Sequence, residues 1–220
     1  MYLDSFWCYQ PDGTEPEIGD LPLLTNGYVS FGCLNNFCKV NEPMLELWAR
    51  VMREVTHSRL LILAKEGSHR QRTKEFLTQQ GVAQERVEFA GMRARREYLE
   101  LYRGIDVVLD TFPYNGHTTS LDALYMGVPV VSLYGETPVS RAGLSQLSNL
   151  GLPELVTPDK EEFVRIAVEL ARDTERLKAL RVTLRERMQG SAIMDAEKWT
   201  RQIEAAFREM WRRWCARGQG

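Results

Sequence analysis

The sequence predicts an α/β fold: a Rossmann-like, doubly wound parallel sheet carrying a helical C-terminal tail. Three observations lead there. Short β-rich runs alternate with helical patterns from Tyr28 to about residue 157. Several of those runs are apolar on consecutive residues rather than on alternate ones, the pattern of parallel strands covered on both faces. After Pro158 the pattern is helical to the end. Strand–helix alternation with right-handed crossovers then gives the doubly wound arrangement.

The elements follow in order. Residues 1–27 are rich in Pro, Gly, Asp and Glu (PDGTEPEIGDLP) and read as a linker or irregular lead-in rather than an element, leaving 28–220 as the domain. The strand runs are YVSFGC (28–33), RLLILA (59–64), RVEFAG (86–91), IDVVLD (105–110) and VPVVSL (128–133), with a weaker ELVT (154–157). Asn41 is placed to cap the helix after the first run, with Pro43 tolerated in its first turn. Leu45, Trp48, Val51, Met52 and Val55 then make one apolar stripe at 3.6-residue spacing. Further helices fit 69–80, 94–103, 117–126 and 139–150, ended by Gly81, Gly104, Gly127 and Gly151. The helical tail breaks near Asp173 and Gly190. Its last part carries Trp199, Ile203, Phe207, Met210, Trp211 and Trp214 at helical spacing.

Composition narrows the function. With 28 Lys+Arg against 30 Asp+Glu the net charge is −2, which excludes a generalised nucleic-acid or membrane-surface binder. A 44% hydrophobic fraction with five Trp, eight Tyr and eight Phe supports a sizeable core. The longest apolar runs are too short to span a bilayer. The opening MYLDSFWCYQPDG has neither a basic n-region nor an apolar h-region, so no signal peptide is expected. The cysteines at 8, 33, 38 and 215 lack CxxC spacing and nearby His, the usage of reduced cytoplasmic thiols. No DxD-type acidic pair sits in a loop, so no metal is expected.

In an open parallel sheet, ligands bind beyond the carboxyl ends of the strands near the switch in strand order. That rule selects the loops 34–41, 91–94, 110–118 and 134–140. In DTFPYNGHTTSLDAL (110–124), a loop with Gly116 leads into a helix that opens at His117–Thr119. Unpaired N–H groups and about half a positive charge there suit a phosphate, and Thr118 and Thr119 add hydroxyls. Asp122, one turn down the same face as Thr118, is placed to accept from a ribose hydroxyl. The same residues equally describe an ordinary capped helix. Lys39 stands on the same sheet edge, and two positive sources in one crevice call for an anion between them. The first loop, FGCLNNFCK, has no GxGxxG, no P-loop lysine motif and no receiver-type acids, which leaves nucleotide-sugar binding.

LNNFCKVNEPMLELWARVMREV, ERVEFAGM and DVVLDTFPYNGHTTSLDALYMGVPVVSLYGETPVSRAGLSQLSNLGLPELV resemble the C-terminal catalytic lobe of the protein O-GlcNAc transferase and SPINDLY family, over about 28–215. The resemblance implies a GT-B fold, two Rossmann-like lobes with the active site between, preceded by tetratricopeptide repeats. It makes Lys39 the diphosphate lysine, with Asn36 beside it, His117, Thr118 and Thr119 diphosphate contacts, and Asp122 the ribose acid. Arg95 stands where the family has a Lys, Tyr98 where it has a uracil-stacking His, and Leu101 where animal enzymes have a basic residue. LDSFWCYQP resembles the connector between lobes, so the amino-terminal lobe and repeats are expected upstream.

The function implied is the donor-binding lobe of a metal-independent, inverting transferase moving N-acetylglucosamine from UDP to protein Ser or Thr. Lys39 and His117 would stabilise the leaving diphosphate. No general base is visible: His57 reads as a helix-end surface residue and His69 as the start of an exposed helix. The alternatives are a SPINDLY-like O-fucosyltransferase using GDP-fucose, a cytosolic protein glucosyltransferase, or a non-catalytic nucleotide-binding or assembly module.

Overall fold

The computed structural model describes residues 3–5 and 7–217; Met1, Tyr2, Phe6 and 218–220, including Phe6 of the LDSFWCYQP stretch and the last residues of the tail, lie outside the described residues. Six strands, β1 (Val29–Cys33), β2 (Ser58–Leu63), β3 (Val87–Ala90), β4 (Val107–Leu109), β5 (Val130–Leu133) and β6 (Val156–Thr157), form one sheet in the order β3-β2-β1-β4-β5-β6. Every pairing is parallel; Phe31 in β1, for instance, registers with Leu60 on one side and Val107 on the other. This is the Rossmann order, with the switch point between β1 and β4.

Between the strands run α2 (Glu42–Glu54), α3 (Ser68–Gln79), α4 (Arg95–Leu101), α5 (Thr118–Tyr125) and α6 (Ala142–Asn149), followed by α7 (Lys160–Arg172), α8 (Thr174–Gln189) and α9 (Ala196–Arg217). All residues of β1, β4 and β5 are buried, the consequence of helices on both faces. Asn41 caps α2 by accepting from the Met44 N–H at 3.1 Å. The predicted stripe on that helix faces inward, with Trp48, Val51 and Met52 fully buried and α2 packed on α7. Asp173 ends the α7 turn and caps α8 by accepting from the Arg176 N–H at 2.9 Å. Gly127 has φ +75°, and a Cβ there would meet the Arg181 carbonyl oxygen at 2.5 Å. Glycine is therefore required both by the backbone and by the close packing of α8.

Several boundaries differ from the expected ones. The helix expected over 94–103 finishes at Leu101 and tightens into a 3-10 turn, Tyr102–Gly104. The one expected over 139–150 starts as a 3-10 turn at Pro138 and becomes helical only at Ala142, after Arg141 adopts φ −114°. The lead-in is not wholly irregular. It contains a helix, α1 (Pro22–Asn26), whose Leu23 N–H donates to the carboxylate of buried Asp106 at 2.9 Å. Tyr9 and Leu21 from the same stretch are buried in the core. A run of turn-forming residues hides these anchors, because its partners lie far along the chain.

Arg181 is the other organising residue on that side. It is buried, and its guanidinium donates to the carbonyls of Gly19, Tyr102, Arg103 and Ile105 at 3.0–3.3 Å. It thus ties α8 to the lead-in and to the carbonyls at the end of α4.

Candidate functional site

The loops after β1 and β4 flank the switch point, and one buried carboxylate fixes both. Asp110, fully buried, accepts at Oδ1 from the N–H groups of Thr111 (2.8 Å) and Gly116 (2.7 Å) and from Asn35 Nδ2 (3.0 Å). Its Oδ2 accepts from Ser132 Oγ at 2.6 Å. Burial pushes its carboxyl above the usual range, and these donors oppose the shift. Asn35 also donates to Thr111 Oγ1 at 2.8 Å and accepts from the Thr119 hydroxyl. Sequence reasoning missed both Asp110 and Asn35. The available signal was an acid at a strand's carboxyl end facing a polar loop residue. Gly116 is needed for a reason other than ligand approach: a Cβ would meet Ser120 Oγ at 2.0 Å and Asn35 Oδ1 at 2.7 Å.

Asn36 caps the 3-10 turn Phe37–Lys39 by accepting from the Cys38 N–H. That turn delivers Lys39 across the crevice, where Nζ donates to the Asn115 carbonyl at 2.9 Å and lies 3.9 Å from the centre of the Tyr114 ring. Burial pushes the ammonium below the ordinary lysine range, with the Asp110 charge opposing. His117 precedes the first turn of α5, and its ring lies 5.0 Å from that of Trp7 and 5.2 Å from that of Tyr114. Burial, then the Lys39 charge, lowers its pKa below the usual imidazole value, with a hydrogen bond to the Val139 backbone opposing. Thr118 is exposed at the helix opening, while Thr119 is half-buried with its hydroxyl on Asn35.

One turn further, Asp122 is 1% exposed and sits among four donor contacts. Arg95 forks onto it, with Nη1 to Oδ2 and Nη2 to Oδ1 both at 2.7 Å. Tyr9 donates to Oδ1 at 2.9 Å and Tyr98 to Oδ2 at 3.2 Å. The carboxylate raises the pKa of Arg95. The Tyr98 hydroxyl also shares a 2.8 Å hydrogen bond with Tyr102, whose own hydroxyl donates to the Thr119 carbonyl at 2.8 Å. The ring of Tyr98 is therefore fixed rather than free to swing.

Asn36, Arg95, Tyr98, Thr118, Thr119 and Asp122 all line one cleft of about 720 Å³ beyond the carboxyl ends of β1, β2 and β3. Lys39 and His117 are not in that lining; they cluster beside it around Tyr114. His57 is exposed as expected, but His69 is not simply a surface residue. Helix α3 starts at the carboxyl end of β2, which brings His69 into the cleft wall, half-buried and 4.7 Å from the Phe37 ring. Among the described residues, no group of three or more His, Cys, Asp or Glu is placed to hold a metal.

A Rossmann sheet with a helix opening and a cationic side chain at its switch point is shared by many nucleotide-binding proteins. The sequence profile of glycosyl transferase family 41 matches residues 21–203. The chain belongs to glycosyltransferase family 41. Its relatives include a probable UDP-N-acetylglucosamine–peptide N-acetylglucosaminyltransferase SPINDLY from Petunia hybrida, 39% identical over 216 residues. That alignment covers 96% of this chain but 23% of the relative, so the chain spans about a quarter of the length of such proteins. The Caenorhabditis elegans UDP-N-acetylglucosamine–peptide N-acetylglucosaminyltransferase is 30% identical over 191 residues, covering 87% of this chain and 17% of that protein. Among solved structures, a Thermobaculum terrenum O-GlcNAc transferase variant superposes with a TM-score of 0.84 at 36% identity, covering 96% of this chain and 40% of that one. The fold is thus that of a Rossmann-like lobe of a GT-B glycosyltransferase, as the sequence predicts.

Proposed function

We propose that this family 41 chain is the donor-binding lobe of a metal-independent, inverting glycosyltransferase that moves N-acetylglucosamine from UDP to Ser or Thr hydroxyls of proteins. The observation that carries the reading is Lys39 meeting the opening of α5 across the switch point, with the cleft lined by Arg95, Tyr98 and Asp122 beside it. In the reaction an acceptor hydroxyl oxygen bonds to the anomeric carbon as the bond from that carbon to the β-phosphate oxygen breaks. Negative charge grows on the leaving diphosphate. The Lys39 ammonium, the first N–H groups of α5 and the Thr118 and Thr119 hydroxyls would stabilise it. His117, whose ring already has a hydrogen bond to the Val139 backbone, would face the phosphate from the opening of α5. Of the three N–H bonds of Lys39, one is on the Asn115 carbonyl, which leaves two for phosphate oxygens.

The acceptor protein, and the group that takes its proton, are assigned to polypeptide outside these residues. The support is that the curated relatives are about four times longer. Free cysteines at 8, 33, 38 and 215 support a reducing, cytoplasmic setting. A second reading, GDP-fucose as donor, draws on Tyr98, which lines the cleft with its hydroxyl engaged where the family resemblance implies a uracil-stacking His. Calorimetry with UDP and GDP in excess EDTA tests both. UDP binding that survives EDTA is expected. Binding lost with the chelator overturns the metal-free mechanism, and tighter binding of GDP overturns the uridine assignment.

A further inference from the structure

The lead-in crosses the site instead of merely preceding it. Tyr9 is buried, and its hydroxyl donates to Asp122 Oδ1 while lying 3.5 Å from Arg95 Nη2. Two residues earlier, the Trp7 ring packs on the His117 ring. The backbone between them is pinned. The Tyr9 N–H donates to the carbonyl of buried Ile193 at 2.7 Å, and Ser5 Oγ both donates to the Trp7 carbonyl and accepts from its N–H. Just upstream, Asp4 pairs with Lys198 at 2.7 Å and its carbonyl accepts from Asn149 Nδ2.

We propose that Ser5 and residues 7–9 act as a strap, with Trp7 and Tyr9 positioning residues that set the two ends of the donor site. Tyr9 holds the Arg95–Asp122 fork on the nucleoside side, and Trp7 holds the His117 ring on the diphosphate side. The inference rests on the donor-binding reading. The chemistry is specific at each end. Asp122 has all its accepting directions filled, so removing the Tyr9 hydroxyl leaves the fork one donor short and free to tilt. The His117 ring, hydrogen-bonded to the Val139 backbone, also packs between the rings of Trp7 and Tyr114, so losing the Trp7 ring takes away one wall of its packing.

The test is calorimetric titration of the 220-residue chain and its Tyr9→Phe, Trp7→Leu and Trp7→Phe variants with UDP and with uridine, alongside thermal unfolding. Tyr9→Phe is expected to raise the Kd of both ligands about three- to tenfold, the scale of one hydrogen bond to a charged group shared with remaining donors. Trp7→Leu is expected to weaken UDP about fivefold with uridine unchanged, a shift equivalent to roughly 1 kcal/mol, and Trp7→Phe is expected to restore UDP binding. Unaltered affinities in folded variants overturn the strap. So do equal losses for both ligands in Trp7→Leu that follow its fall in melting temperature, because that is a structural role alone. Should Tyr9→Phe not fold, the two Trp7 variants decide the matter. A parent chain that binds neither ligand overturns the donor reading, and the strap with it. A parent that binds both while the variants match it overturns the strap alone.

Discussion

Lys39→Ala isolates the diphosphate contact. The ammonium donates to the Asn115 carbonyl at 2.9 Å and lies over the exposed ring of Tyr114. Tyr114 is exposed and Asp110 already has four donors, but Asn115 is buried and its carbonyl loses this donor, so the fold should lose about 1–3 kcal/mol. Binding is different. A hydrogen bond to a charged group contributes about 1.5–3 kcal/mol, which is roughly a 10- to 150-fold increase in the UDP Kd. Uridine has no phosphate to offer, so its Kd should move by less than about twofold. The pH dependence has a definite sign. Burial lowers the pKa of Lys39, and only the protonated amine serves a diphosphate, so UDP affinity falls as pH rises through that lowered value. The fall should begin at lower pH than for an ordinary lysine and vanish in Lys39→Ala. Calorimetry with both ligands across alkaline pH measures all of this. Equal losses for UDP and uridine would refute the reasoning, since Lys39 would then act through the fold.

His117 should titrate below the ordinary imidazole pKa by NMR, and Lys39→Ala should raise its pKa because the second cause of the depression, after burial, is the Lys39 charge; an unchanged value would show that the ammonium does not reach it. On α9, Trp211 and Trp214 stack on each other with ring centres 5.2 Å apart while 64% and 67% exposed, next to exposed Phe207 and Met210. Covering one such side chain is worth about 1.5–3 kcal/mol, so the chain should self-associate in light scattering, and converting both Trp to Gln should abolish that without lowering the melting temperature. A monomeric parent destabilised by the change would show that these rings complete the domain's own core.

What the sequence determined by itself was whatever depends on neighbours along the chain. Consecutive apolar residues in 28–33, 105–110 and 128–133 require a strand covered on both faces, and that requirement alone implies helical layers and a parallel sheet. Asn41 and Asp173 act on donors three residues away, so their caps were legible. The loop that carries 117–119 was legible for the same reason, because Gly and Pro before a helical stripe fix where the stripe begins. Tertiary structure decided how those groups are used. Asp122 reads as an open acceptor on a helix face, but Tyr9, 113 positions away, and Arg95 already occupy it. Asp110 reads as the end of a strand, yet it is the hub that joins Asn35, 75 positions away, to the start of α5. His69 enters the cleft because β2 ends beside the Phe37 turn. The lead-in, whose composition signals only turns, contributes Trp7 and Tyr9 to the site's two ends. In each case the deciding free energy lies in burying a polar group whose partner is distant in sequence, and no local periodicity records which partner that will be.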